Sequence, residues 1–147
     1  MAEKHSMMDG RIEAVMWIVQ KDGKTVVEKK GDIFTIPGTF IDRAKDLGTR
    51  YMEYALMRGI QEKFSLGSFV PKNWKYIASV DFDNESDKFK LHYFLVDKWE
   101  GYIPAHGTKD GDKESDLRWL PLDRYQELPQ SCDKKAMEKL IEINNKL

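Results

Sequence analysis

The sequence has a single cysteine, Cys132, among 147 residues, so neither an intramolecular disulfide framework nor a zinc site built on several thiolates is open to it. No apolar run comes near the roughly 20 residues that a membrane span requires. The first ten residues, MAEKHSMMDG, lack the apolar stretch of a signal peptide. Charge of one sign is not in excess either: 24 basic side chains stand against 25 acidic ones, interspersed, for a net charge of −1. That balance argues against nucleic acid as a partner and against an acidic tail. There is no internal repeat and no low-complexity stretch. What is present is 41% apolar and 12% aromatic side chains, enough to bury a core. The expectation is a cytoplasmic protein with a flexible N-terminus over 1–10 and a single domain over 11–147.

Hydrophobic patterning places the elements. RIEAVMWIVQ (11–20) reads as a strand, and Asp22-Gly23 after it is a hairpin signal because both turn residues favour positive φ. TVVEKK (25–30) is the returning strand, and IFTIP (33–37) is a short apolar run stopped by Pro37-Gly38. Residues 38–48 read as irregular. From 49 to 64 the period becomes helical, with Met52, Leu56, Ile60 and Phe64 on one stripe and Ser65-Leu66-Gly67-Ser68 as the stop. Strands over 74–82 and 88–99 form a second hairpin, the latter alternating Phe89, Leu91, Tyr93 and Leu95 on one face. GYIPAHGTKDGDKES (101–115) reads as a long polar loop and DLRWLPL (116–122) as a short strand. An amphipathic helix spans 133–147, with Ser131 or Asp133 as its N-cap. The order β-β-β-α-β-β-β-α predicts a mixed α/β (α+β) fold with helices covering a sheet.

The functional signal lies in EYALMRGIQEKFSL (53–66), read with the upstream Pro37-Gly38. This stretch resembles the Nudix hydrolase signature: Gly, five residues, Glu, seven residues, then Arg-Glu-apolar-x-Glu-Glu-x-Gly-apolar. Arg58, Ile60, Glu62 and Leu66 match its second half without a gap, and Glu53 and Ala55 fit what often precedes the Arg. Downstream, DKWEG (97–101) and ESDLRWLPLDRYQEL (114–128) look like the late strands of that family. The resemblance implies a Nudix-like α/β/α sandwich with a mixed sheet between helices. It also implies a nucleotide-type substrate, either a nucleoside diphosphate derivative or a nucleoside triphosphate, and the possibility of a homodimer.

The family's chemistry is attack of water on a phosphorus of a pyrophosphate. A divalent metal, Mg²⁺ or Mn²⁺, neutralises the polyanion and polarises the water. Carboxylates at i, i+3 and i+4 on one helical face suit such an ion. Here Gly59 stands at the first Glu of the pattern, Lys63 at the last, and Arg50 at the early Glu, so the box is degenerate. The resemblance then implies Glu62 as metal ligand and catalytic carboxylate, with Arg58 orienting it. Glu114 and Asp116 are further metal ligands, and Lys63 is a phosphate contact. Gly38, Phe40 and Tyr102 are candidate substrate-lining residues. The plainer readings are an i, i+4 ion pair for Arg58 and Glu62, worth roughly 0.3–0.5 kcal/mol, and a solvated helix-end lysine for Lys63. His92 reads as a packed, hydrogen-bonded histidine. The changes at positions 59 and 63 support an alternative: a catalytically inactive Nudix-fold module that binds a nucleotide-like ligand or a protein partner.

Overall fold

The computed structural model describes residues 5–64, 69–103, 106–109 and 113–146, with backbone alone for 30, 106–109 and 113–115. The expected helix stop at 65–68 and the Leu66 match lie outside the described residues. Among the described residues, nine strands and two α-helices follow one another: β1 (Met7–Met8), β2 (Arg11–Lys21), β3 (Lys24–Lys30), β4 (Ile33–Thr35), β5 (Gly38–Phe40), α1 (Tyr51–Lys63), β6 (Val70–Asp83), β7 (Lys88–Glu100), β8 (His106–Lys109), β9 (Lys113–Pro121) and α2 (Ser131–Asn145). A short 3₁₀ helix, Leu122–Glu127, links β9 to α2.

The sheet runs β6-β7-β2-β3-β9-β8, with β1 and β5 also on β2 and β4 on β3. All pairs are antiparallel except β2 with β7, which run parallel from Ile12↔Phe89 to Val19↔Val96. That single parallel pair makes the sheet mixed and puts α1 in the crossover between its two halves. The β2–β3 turn is the one the sequence indicates: Asp22 and Gly23 both take positive φ, 53° and 73°.

Strand alternation sorts the apolar residues onto two faces. Val15, Trp17, Val19, Phe94 and Val96 meet Leu56 and Ile60 of α1 and Phe64 at its C-cap. Met16, Ile18, Tyr93 and Leu95 meet Ala136, Met137 and Leu140 of α2. The two helices thus cover opposite sides, and each fully buried Leu, Ile or Phe contributes about 1.5–3 kcal/mol. At the start of α2 the carboxylate of Asp133 is fully buried and accepts from Tyr93 Oη at 2.8 Å and the Ile36 backbone N–H at 3.2 Å. Gln130 is the N-cap and makes no side-chain cap hydrogen bond, so Asp133 ties the helix to the sheet instead of capping it. Burial and this carboxylate push the Tyr93 hydroxyl far above its ordinary pKa.

Three sequence expectations need correction. Residues 101–115 are not one loop: β8 and the start of β9 form an antiparallel hairpin, His106↔Asp116 to Lys109↔Lys113. An edge ladder held by backbone hydrogen bonds needs no apolar alternation, so polar composition concealed it. Residues 38–40 are not irregular but a strand, hydrogen-bonded to Ala14, Val15 and Met16. Residues 5–10 are held as well, since Met7–Met8 pairs with β2 and Ser6 N–H donates to the Ile41 carbonyl.

Two glycines mark where backbones come closest. A Cβ on Gly38 would overlap Met16 Sδ and lie 2.8 Å from the Val15 carbonyl oxygen. A Cβ on Gly59 would lie 2.5 Å from Thr39 Cγ2 and 3.0 Å from Trp17 Cζ3. At Gly59, α1 comes so close to β5 and β2 that a side chain would meet Thr39 and Trp17. Gly59→Ala gains about 1 kcal/mol of helix propensity and loses about 1–3 kcal/mol to overpacking. Gly59→Glu, which restores the signature residue, should therefore destabilise by about 2 kcal/mol or more in urea unfolding. An unchanged midpoint would show that the helix can lift at no cost.

Candidate functional site

The second half of α1 carries the signature residues, and each has a partner that sequence alone does not show. Arg58 Nη2 donates to Asp46 Oδ2 at 2.7 Å and to the Phe40 carbonyl at 2.9 Å, and its Nε donates to Asp46 Oδ1 at 3.2 Å. Asp46 is 4% exposed and also accepts the Asp42 N–H at 2.8 Å. This bidentate pair clamps the 42–46 turn onto the helix and holds the guanidinium above its ordinary pKa. Glu62 lies farther off, 3.6 Å from Arg58 Nη1, with a side chain 58% exposed. Arg58 therefore positions Asp46 first and reaches Glu62 only as a secondary partner.

Lys63 does not point into solvent. Its Nζ lies 2.9 Å from Glu28 Oε1, and the two side chains are 15% and 0% exposed. Glu28 is on β3, on the face that carries Val26 into the α1 core. An ionised carboxylate moved into a low-dielectric interior costs several kcal/mol unless charge and hydrogen bonds compensate it. The lysine at the signature's last acidic position is the cation that meets this acid. Nothing local to Lys63 in the sequence signals this pairing, since Glu28 lies 35 residues away on β3.

The remaining candidates lie on β5, on β9 and in the segment after β7. Leu117 packs into the α1 cluster, so strand alternation turns Asp116 to the opposite face of β9. Glu114 is placed on β9, and its side chain is outside the described residues. Phe40 is 44% and Tyr102 62% exposed, and Phe40 stacks on His5 with centroids 4.5 Å apart. Gly38 is fixed by the close approach of Met16. Among the described residues there is no group of three or more His, Cys, Asp or Glu able to hold a metal ion. With an ammonium on Glu28 and a guanidinium on Asp46, the donor set along α1 does not fit a divalent cation.

A second polar cluster, missed in the sequence, lies under the first half of the same helix. Glu13 on β2 is 1% exposed and accepts three hydrogen bonds: Ser6 Oγ at 2.6 Å, Tyr51 Oη at 2.9 Å and His92 Nε2 at 2.8 Å. Since a carboxylate only accepts, Nε2 of His92 carries the ring proton, and Nδ1 accepts from Tyr76 Oη at 3.0 Å. Burial pushes the His92 pKa below its ordinary value, the Glu13 contact opposing this in part. Burial and Glu13 raise the Tyr51 hydroxyl. At the helix start, Glu53 accepts from Arg50 at 2.9 Å and from Trp74 Nε1 at 2.8 Å, which together hold its carboxyl down at about 2.

Two outcomes follow from these contacts. Lys63→Met removes the ammonium from the buried Glu28 and should cost about 3 kcal/mol or more, read from urea unfolding. Lys63→Glu should be worse still, and added Mg²⁺ should not restore it; rescue by Mg²⁺ would reveal a metal site. His92 titrates lower when folded than its ordinary 6.5, so the unfolded chain binds its proton first. Its stabilising contribution is complete above about 6.5 and declines as pH falls below that. The urea midpoint should drop between pH 6.5 and 5, and His92→Gln should flatten that part of the profile.

The architecture matches solved structures. The E. coli ORF135 protein superposes with a TM-score of 0.69 at 17% identity, covering 90% of this chain and 89% of that one. A MutT Nudix hydrolase from Burkholderia pseudomallei gives 0.66 at 19% identity, over 87% and 96%. The Nudix domain of Shewanella oneidensis NrtR, solved in complex with ADP-ribose, gives 0.65 at 17% identity, over 93% and 90%. No family model matches the chain, and no curated protein matches it. The chain has the fold of the Nudix hydrolases.

Proposed function

We propose that this protein is a Nudix-fold module that binds a nucleotide-type ligand, a nucleoside diphosphate derivative or nucleoside triphosphate, without metal-assisted attack of water. One observation carries the reading: the lysine at the last acidic position of the signature is spent on the buried Glu28, 2.9 Å away. Gly59, packed against Thr39 and Trp17, removes a second carboxylate from the same face. Among the described residues no carboxylate cluster stands beside these positions to hold the metal that would polarise water against a polyanion. The ligand class is supported by fold likeness, the NrtR Nudix domain having been solved with ADP-ribose. Phe40 and Tyr102 are the proposed ring contacts.

The second reading is a metal-dependent pyrophosphohydrolase using Glu62, with Glu114 and Asp116 as further Mg²⁺ or Mn²⁺ ligands. The contact of Glu62 with Arg58 at 3.6 Å favours it. A nucleotide panel including ADP-ribose and nucleoside triphosphates separates the two. Binding at about 100 times Kd should raise Tm by about 5–10 °C. It should do so equally with Mg²⁺ or with EDTA, and with no phosphate released. Release that needs Mg²⁺ or Mn²⁺ and disappears in Glu62→Gln would establish the hydrolase instead.

A further inference from the structure

A cavity of about 380 Å³ opens between the first turn of α1 and the edge strand β6. Small-molecule sites fall in the range of roughly 300–1,000 Å³. Its aromatic and apolar wall is Tyr51, Met52, Trp74, Tyr76 and Phe94. Its polar lining is Thr49, Arg50, Glu53 and Lys75. Arg50 stands at the signature's early Glu and Glu53 within the matched stretch, so the cavity begins where the signature begins; Arg58, Glu62 and Lys63 do not border it. Three consecutive residues of β6, Trp74 to Tyr76, reach one concavity because the register against β7 shifts on either side of them.

The charges on this lining do not cancel. Arg50 and Glu53 meet each other through two hydrogen bonds of 2.9 Å, and Glu53 takes the Trp74 N–H as well. Glu13, behind Tyr51, is 1% exposed, accepts three hydrogen bonds of its own and does not line the cavity. Lys75 is exposed, and its ammonium has no ion pair or hydrogen bond among the described residues. One cation is therefore left over. The uncommitted hydrogen-bonding groups at the rim are mostly donors too: the Lys75 ammonium, the Thr49 hydroxyl and the Arg50 N–H groups that Glu53 does not take. The start of α1, which has no side-chain cap, adds backbone donors to the same rim.

We propose that this cavity binds a planar aromatic monocarboxylate, its ring against Trp74, Tyr76 and Phe94 and its carboxylate on Lys75 and Thr49. A single unmatched ammonium suits one negative charge, and the Glu53 carboxylate on the same rim opposes a second. A cationic ligand would meet Lys75 unfavourably, and a neutral one would leave it unmatched. The rings are placed before any ligand arrives. Tyr51 and Tyr76 give their hydroxyl protons to Glu13 and His92 Nδ1, and Tyr76 meets Phe94 edge-on at 5.4 Å and 89°. Binding would cost little ordering of these side chains. Tyr76 is 47% exposed despite that anchoring, so its ring remains accessible. The nucleotide reading puts its ring contacts at Phe40 and Tyr102, which do not line this cavity, so the two readings fail separately.

The probes are 2-naphthoate and its neutral isostere 2-naphthamide, which carry neither sugar nor phosphate. Binding is followed at the Trp74 indole N–H in ¹H–¹⁵N spectra of the full chain, that signal being assigned with Trp74→Phe. Naphthoate should shift it together with amides of 49–53 and 74–76, and bind about 3- to 10-fold more tightly than naphthamide. Lys75→Met, a change at an exposed position that leaves the core intact, should bring naphthoate down to the affinity of naphthamide and leave naphthamide unchanged. Lys75→Arg should keep the preference for the acid. Lys72→Met, on the same strand but outside the cavity, should alter neither probe. Equal affinity for the two probes overturns the proposal. So does a preference for the acid that survives Lys75→Met, a Trp74 signal that never moves, or a set of shifts scattered over the surface.

Discussion

Buried carboxylates under a single helix impose the main constraint on this molecule. Glu13, Glu28 and Asp46 are 1%, 0% and 4% exposed, and each lies beneath or beside α1. An anion in such surroundings must be met by hydrogen bonds or a cation, or the helix cannot close over it. Lys63 meets Glu28, Arg58 meets Asp46, and Tyr51 with His92 and Ser6 meets Glu13. Three of the partners, Tyr51, Arg58 and Lys63, come from α1 itself and are spread along its length. The helix is thereby fixed in rotation and height over the sheet at its start, middle and end.

That constraint accounts for the partners of Arg58 and Lys63. In a hydrolase of this fold a carboxylate face on the helix would be held open toward a metal and a phosphate. Here the same face turns its charges inward. Arg58 and Lys63 hold strands and the 42–46 turn, and Gly59 gives up its side chain so that Thr39 and Trp17 can approach. Glu62 remains outward, its side chain 58% exposed and 3.6 Å from Arg58 Nη1. Arg58 and Lys63 are both engaged in internal ion pairs, with Asp46 and Glu28.

Strand β6 shows how the rest of the space is used. It is an edge strand, and Pro71 sits within it, where a missing N–H is tolerated. Its register against β7 shifts between Asn73 and Trp74 and again between Tyr76 and Ala78. These irregularities bracket the two aromatic residues that wall the cavity beside the start of α1. Bulges commonly re-aim side chains at an edge, and here they coincide with a concave surface.

The strands over 11–20 and 25–30, the Asp22-Gly23 turn and both helices were legible in the chain, because alternation of two and of 3.6 residues writes burial directly into the sequence. The stripe of Leu56, Ile60 and Phe64 was legible for the same reason. The hairpin of β8 with β9 and the short strand β5 were not, since their stability comes from backbone ladders that leave no hydrophobic pattern. Nor could the sequence say what Lys63 was for. Glu28 lies 35 residues away from it, and Glu13 lies 79 residues from His92. Separations of that size carry no local periodicity. Local chemistry determined which residues turn inward and which elements they form; only the packing of α1 across the sheet decided which charges meet, because an ion pair depends on distance in space and not on spacing along the chain.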